Sequence, residues 1–131
     1  MFDKYMVLTR GFQNVSENGQ VIGFQLKVRI TYYRGVYLPL LGGFDVTVDG
    51  EHFKPEQIRF SIGKHTCTME ELGGAEKVRW PFGEPATLTI LKPGGLKPGL
   101  HDVAVVETIN PSYVPKGLFV GRTRRKITLV A

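Results

Sequence analysis

With a single cysteine, Cys67, the chain cannot close an internal disulfide, so a small fold stapled by bridges is excluded. The same scarcity points to a reducing compartment, and a cytoplasmic location is expected. Apolar runs are short: the longest, from Val36 to Leu41, is interrupted by Pro39, whereas a membrane-spanning helix needs about 20 apolar residues. The opening MFDKYMVLTR has no apolar core of the secretory type, so export is not expected either. Helix-length stretches are equally scarce, because 16 glycines and 8 prolines cut the sequence into short pieces.

Reactive groupings are also missing. The three histidines, His52, His65 and His101, show none of the spacings of one, three or four residues that place two ligands on a common face. That removes the close histidine pair of a metal-binding cupin. Ser16, Ser61 and Ser112 sit in no GxSxG elbow, and Cys67, within HTCTM, reads as a small buried strand residue. His101 and Asp102 are adjacent, but strand neighbours point to opposite faces, so the pair reads as a turn exit with a partly exposed histidine. Glu70 and Glu71 are loop charges with no visible partner. The stretch KPGGLKPG loses to its prolines the backbone donors that a phosphate cradle uses. This chain is therefore expected to hold no catalytic, cofactor-binding or metal-ligating residue.

What remains is a β-pattern. In VIGFQLKVRIT, residues 21–31, Ile22, Phe24, Leu26, Val28 and Ile30 alternate with Gly23, Gln25, Lys27, Arg29 and Thr31, the period of a strand with one buried face. Asn18-Gly19 precedes it and readily supplies the positive φ angles of a tight hairpin, predicting a hairpin from about Phe12 to Thr31. Phe44, Val46 and Val48 alternate up to Asp49-Gly50, and Ile58, Phe60 and Ile62 up to Gly63-Lys64. Leu88 and Ile90, Val103 and Val105, and Ile127 and Leu129 complete the series. In TMEELGG, Thr68 and Glu71 have capping-box spacing, with Gly73 allowing one helical turn. Apolar residues at 42% and charged residues at 22% are ordinary for a globular chain. The expected fold is all-β, an antiparallel β-sandwich or jelly-roll-like single domain over residues 1–131.

Three long loops are expected on that sandwich: Tyr32 to Gly43, Glu70 to Pro85, and residues 110–119. The first contains TYYRGVYLPLL, rich in the tyrosine and arginine favoured at the centres of protein interfaces. The second contains VRWPFGEPATL, where Pro81 and Pro85 stiffen the path of Trp80 and Phe82, as core plug or as partner anchor. The net charge of +5 owes much to GRTRRK at 121–126, where Arg122, Arg124 and Lys126 share one strand face opposite Ile127 and Leu129. A solvated outer face explains that cluster better than nucleic-acid binding does.

Order and spacing across the chain carry a likeness: an ENG turn and GFQLKVRI strand, then YYRGVYL, FDVTVDGE, the TMEEL turn, WPFGEPATL, and GGLKPGLHDV with SYVP. The chain resembles the small (beta) subunit of bacterial C-glycoside deglycosidases. The resemblance implies an antiparallel β-sandwich bound to a TIM-barrel alpha subunit that carries a divalent metal, with manganese the expected ion, and the catalytic base. It further implies cleavage of the carbon–carbon bond of a 3-oxo-C-glycoside, such as an oxidised flavonoid C-glucoside, by elimination. The small subunit alone would be inactive. On this reading Tyr32, Tyr33, Arg34 and Tyr37, followed by Trp80, Phe82 and Tyr113, dock against or roof the partner's active-site mouth. Two other classes compete: a free-standing carbohydrate-binding module with a stacking platform of aromatic rings, and a nucleic-acid binder using Arg122, Arg124, Arg125 and Lys126.

Overall fold

The computed structural model describes residues 6–32, 34–110 and 119–130. Their strands are β1 (Gln13–Glu17), β2 (Gln20–Val28), β3 (Val36–Tyr37), β4 (Leu41–Val48), β5 (Glu51–Phe53), β6 (Ile58–Ile62), β7 (His65–Thr68), β8 (Arg79–Trp80), β9 (Ala86–Leu91), β10 (Gly99–Ile109) and β11 (Phe119–Leu129). A five-stranded sheet, in the order β1-β2-β9-β6-β7, packs against a four-stranded sheet, β11-β10-β4-β5, and every pairing within them is antiparallel. This is the expected β-sandwich. No helix among the described residues is long and apolar enough to cross a membrane.

Local sequence accounts for the tight turns. At Asn18 and Gly19 φ is 52° and 77°, and at Asp49 and Gly50 it is 50° and 84°. Two successive positive φ values make the turn whose twist matches that of the flanking strands. β1 and β2 thus form the predicted hairpin, with a bulge between Val15 and Ser16. The capping box closes as well: the Thr68 N–H donates to Glu71 Oε1 at 2.9 Å and the Glu71 N–H to Thr68 Oγ1 at 3.2 Å, heading a 3-10 turn over Glu71–Gly74.

The alternating apolar residues meet between the sheets. Phe44 of β4 stacks on Phe60 of β6, with centroids 5.7 Å apart, and Phe24 of β2 meets Phe53 of β5 edge-on at 5.4 Å. These four rings are buried with Leu26, Val46, Ile58, Leu88, Ile90, Val103 and Val105. Hydrophobic burial at about 25 cal/mol per Å² is the dominant stabilising term. One corner is stitched by a bridge from Gln13 to Val130 and by Arg125, whose Nη1 donates to the Val7 carbonyl at 2.8 Å.

Two expectations need correction. Tyr32 to Gly43 and Glu70 to Pro85 are not separate open loops: β3 and β8 pair as a two-stranded ribbon that joins them. His101 is no turn exit, since β10 begins at Gly99 and the imidazole lies against the Phe12 ring, with only 11% of its side chain exposed.

Candidate partner-binding surface

The ribbon is built from two-residue strands, too short to hold alone, so its stability comes from what it buries. Val36 pairs with Trp80, and both point inward; Tyr37 pairs with Arg79, and both point outward. Trp80, 0% exposed, packs on Phe60 at 5.1 Å and Phe44 at 6.2 Å, while its indole N–H donates to the Glu84 carbonyl at 2.7 Å. That bond satisfies the indole's only polar atom and closes the turn carrying Phe82. The Leu38 N–H donates to the Val78 carbonyl at 2.9 Å, extending the connection by one step. Gly35 permits the close approach: a Cβ there would stand 2.7 Å from the Trp80 carbonyl oxygen. Pro39 then opens a 3-10 turn over Leu38–Leu40 that drops Leu38 into the core.

Within the ribbon strand parity places Trp80 inward and Tyr37 outward, and burial sorts the aromatic residues that flank it. Trp80 and Tyr32, the latter 2% exposed, belong to the core of the chain, and their rings offer no surface to a partner. As contact anchors both are corrected: Trp80 is the core plug, and Tyr32 lies beneath Arg34, whose Cζ is 6.0 Å from its ring centroid. Tyr37 and Phe82 are each 50% exposed, a large exposure for rings of that size. Arg34 and Arg79 are exposed as well, and Arg79 lies across the ribbon from Tyr37. Tyr33 and Tyr113 lie outside the described residues. Arg79 was missed by sequence reasoning; only its pairing with Tyr37 brings it to this surface.

Elsewhere, polar side chains are engaged within the fold. His101 Nδ1 is 2.6 Å from Asp49 Oδ2 and its Nε2 is 2.6 Å from the Lys97 carbonyl oxygen. Burial pulls the imidazole pKa down, but the bonds to Lys97 and Asp49 outweigh it, and the net shift is upward. Two acceptors on two ring nitrogens suit the doubly protonated imidazolium. The Asp49 pKa is lowered by the Asp102 N–H first and by His101 second. Asp102 is gripped by Arg124 at 3.0, 3.1 and 2.5 Å. Burial, then Glu71, raises the Cys67 pKa, which disfavours the reactive thiolate.

Among the described residues no three His, Cys, Asp or Glu side chains converge on a point that could hold a metal. Arg122, Arg124 and Lys126 occupy the exposed face of β11, opposite buried Ile127 and Leu129. A groove of about 310 Å³ is lined by Pro55, Glu56, Thr68, Met69 and Glu70, with no aromatic face on which a sugar ring could stack.

Residues 2–113 match the family described as C-glycoside deglycosidase beta subunit. A protein named C-glycoside deglycosidase beta subunit, from Eubacterium cellulosolvens, is 36% identical over 114 residues, which cover 86% of this chain and 78% of the relative.

Proposed function

The chain belongs to the C-glycoside deglycosidase beta subunit family, and from that premise we propose that it is the non-catalytic subunit of such an enzyme, docking through the β3–β8 ribbon. The observation that carries the reading is that Tyr37 and Arg79, paired on a ribbon fixed by Trp80, are exposed together with Phe82 and Arg34 in the segments that flank it. Aromatic rings and arginine are the residue types on which interface energy concentrates. The partner in this reading is a TIM-barrel alpha subunit that carries the catalytic base and a divalent metal, manganese, and the ribbon abuts the mouth of its active site.

The reaction explains why an ordinary pair of glycosidase carboxylates would not suffice. A carbon leaving group has no lone pair for the protonation used on a glycosidic oxygen. Oxidation at sugar C3 makes the C2 proton acidic. A base can then take that proton while the C1–aglycone bond breaks, the electron pair leaving with an aglycone whose phenol delocalises it. A metal that polarises the ketone lowers the barrier further. In this division of labour the sandwich contributes shape and adhesion.

The experiment is reconstitution. The chain, the alpha subunit and their mixture are assayed on a 3-oxo-C-glucoside, and complex formation is followed by sedimentation. Turnover is expected from the mixture and none from this chain alone. Full-rate turnover by this chain alone, or no complex at micromolar concentrations, would overturn the proposal.

A further inference from the structure

Two polar side chains are buried among the described residues, Thr31 and Glu107, and they are bonded to each other. Thr31 donates its backbone N–H at 2.8 Å and its hydroxyl at 2.9 Å to Oε1 of Glu107, across 76 residues of sequence. Glu107 is 0% exposed and occupies an inward position of β10, in line with Val105 and Ile109. Its cross-strand neighbours are Phe44 on β4 and Gly121 on β11. Gly121 makes room for the contact, since a Cβ there would stand 2.6 Å from both Cγ2 and Oγ1 of Thr31.

A leucine at 107 would fill the space with less desolvation, so packing alone does not call for a carboxyl group there. What the carboxyl adds is direction. β2 ends at Val28, and at Thr31 a side chain from the opposite sheet supplies the acceptor for the backbone N–H. The chain is thereby fixed where it leaves the sandwich, just before Tyr32 turns into the core and Arg34 and Tyr37 come to the surface. At the far end of the segment the Asn110 N–H, one residue beyond β10, donates to the Leu40 carbonyl at 2.7 Å. β10 therefore holds the segment at both ends.

We propose that Glu107 is a positioning residue for the docking surface: through Thr31 it selects the conformation in which residues 34–37 are presented preformed. The proposal rests on the reading of the ribbon as the docking surface. Buried polar groups can fix one arrangement among several at little or no gain in stability. A positioning role is separated from a merely structural one by where the chain loosens: loss of a merely structural bond would speed exchange in every strand alike.

The test compares Glu107→Gln, Glu107→Ala and the double variant Thr31→Val/Glu107→Met by amide hydrogen exchange of the free chain, thermal unfolding and affinity for the purified alpha subunit. Glu107→Gln keeps an acceptor oxygen and is expected to resemble the parent. The double variant removes both side-chain partners but leaves the Thr31 backbone N–H without its acceptor, so its melting temperature should fall, though by less than that of Glu107→Ala, which also orphans the hydroxyl and opens a cavity. Its amides over 36–41 should exchange on the order of tenfold faster, with the β1–β2 hairpin unchanged. Affinity should fall by about tenfold. Unchanged exchange over 36–41 in both Glu107→Ala and the double variant, or acceleration shared equally by every strand, overturns the proposal. Should the parent chain fail to bind the alpha subunit, the docking reading falls, while the exchange data still decide whether Glu107 orders the segment.

Discussion

Replacing Tyr37 by serine separates an interface ring from a core ring. An aromatic side chain buries about 150–250 Å² when fully covered. Tyr37 is 50% exposed, so a partner could cover on the order of 100 Å² more. At about 25 cal/mol per Å² that area represents about 2.5 kcal/mol, or roughly a 70-fold change in Kd. The ring's exposed half gives the isolated chain nothing, and its outward position leaves no cavity when it is removed. Melting of the lone chain should therefore shift little, within about 0.5 kcal/mol.

Trp80→Ala is the matched opposite. Its ring is fully enclosed by Phe44 and Phe60, and its removal should cost about 3–5 kcal/mol of folding stability. Titration calorimetry against the alpha subunit and thermal unfolding of the free chain read the two quantities independently. The reasoning is refuted if Tyr37→Ser lowers the melting temperature as Trp80→Ala does, or if its affinity for the alpha subunit equals the parent's.

Other consequences follow from single contacts. Arg34→Ala should weaken assembly by about 2 kcal/mol or more if the guanidinium is enclosed on binding, and an unchanged affinity on titration removes it from the surface. The clasp of His101 on Asp49 should make stability depend on pH. The His101 pKa is raised from its ordinary 6.5, so its contribution is complete below that value and is lost as pH rises through the higher folded pKa. The Asp49 pKa is lowered from 3.8, so its contribution is present above 3.8 and disappears as pH falls through the lower folded pKa. Melting temperature should accordingly decline as pH rises above 6.5, and His101→Asn should flatten that slope; an equal slope in the variant excludes the clasp as its source. Gly23→Ala should prevent normal assembly of the five-stranded sheet, because its Cβ would stand 1.9 Å from the Ile90 carbonyl oxygen; a parental melting curve would contradict the close approach.

Features carried by local chemistry were legible in the sequence. The alternation from Phe24 to Val28, the Asn18-Gly19 and Asp49-Gly50 turns and the Thr68–Glu71 capping box need only neighbours in the chain, and each has its structural counterpart. The strand stops at Val28, however, and Thr31, which the pattern over 21–31 set on the exposed face, is buried. The ribbon is different. Val36–Tyr37 and Arg79–Trp80 are too short to show a period, and their pairing joins segments far apart in sequence. Without that register the composition of YYRGVYL and RWPF could not say which rings face inward. His101 finds Asp49 at a separation of 52 residues, again through sheet register. Glu107 did leave a trace: in Val103, Val105, Glu107, Ile109 an acidic residue takes the place where the alternation calls for an apolar one.

Burial of Trp80 and exposure of Tyr37 are two sides of one device. Binding costs free energy for every side chain and segment that must be ordered, on the order of 0.5–1.5 kcal/mol for each rotamer-rich side chain. A ribbon pinned by an enclosed indole, with the bond from its N–H to Glu84 closing the adjoining turn, meets much of that cost during folding. Tyrosine and phenylalanine have few rotatable bonds, so the outward rings add contact area at low entropic cost. Cutting the bond of Thr31 to Glu107 would return part of the cost to the binding step, because the segment leading into the ribbon would have to be ordered by the partner. Loss of affinity without loss of fold is thus the signature that ties the core of this sandwich to its surface.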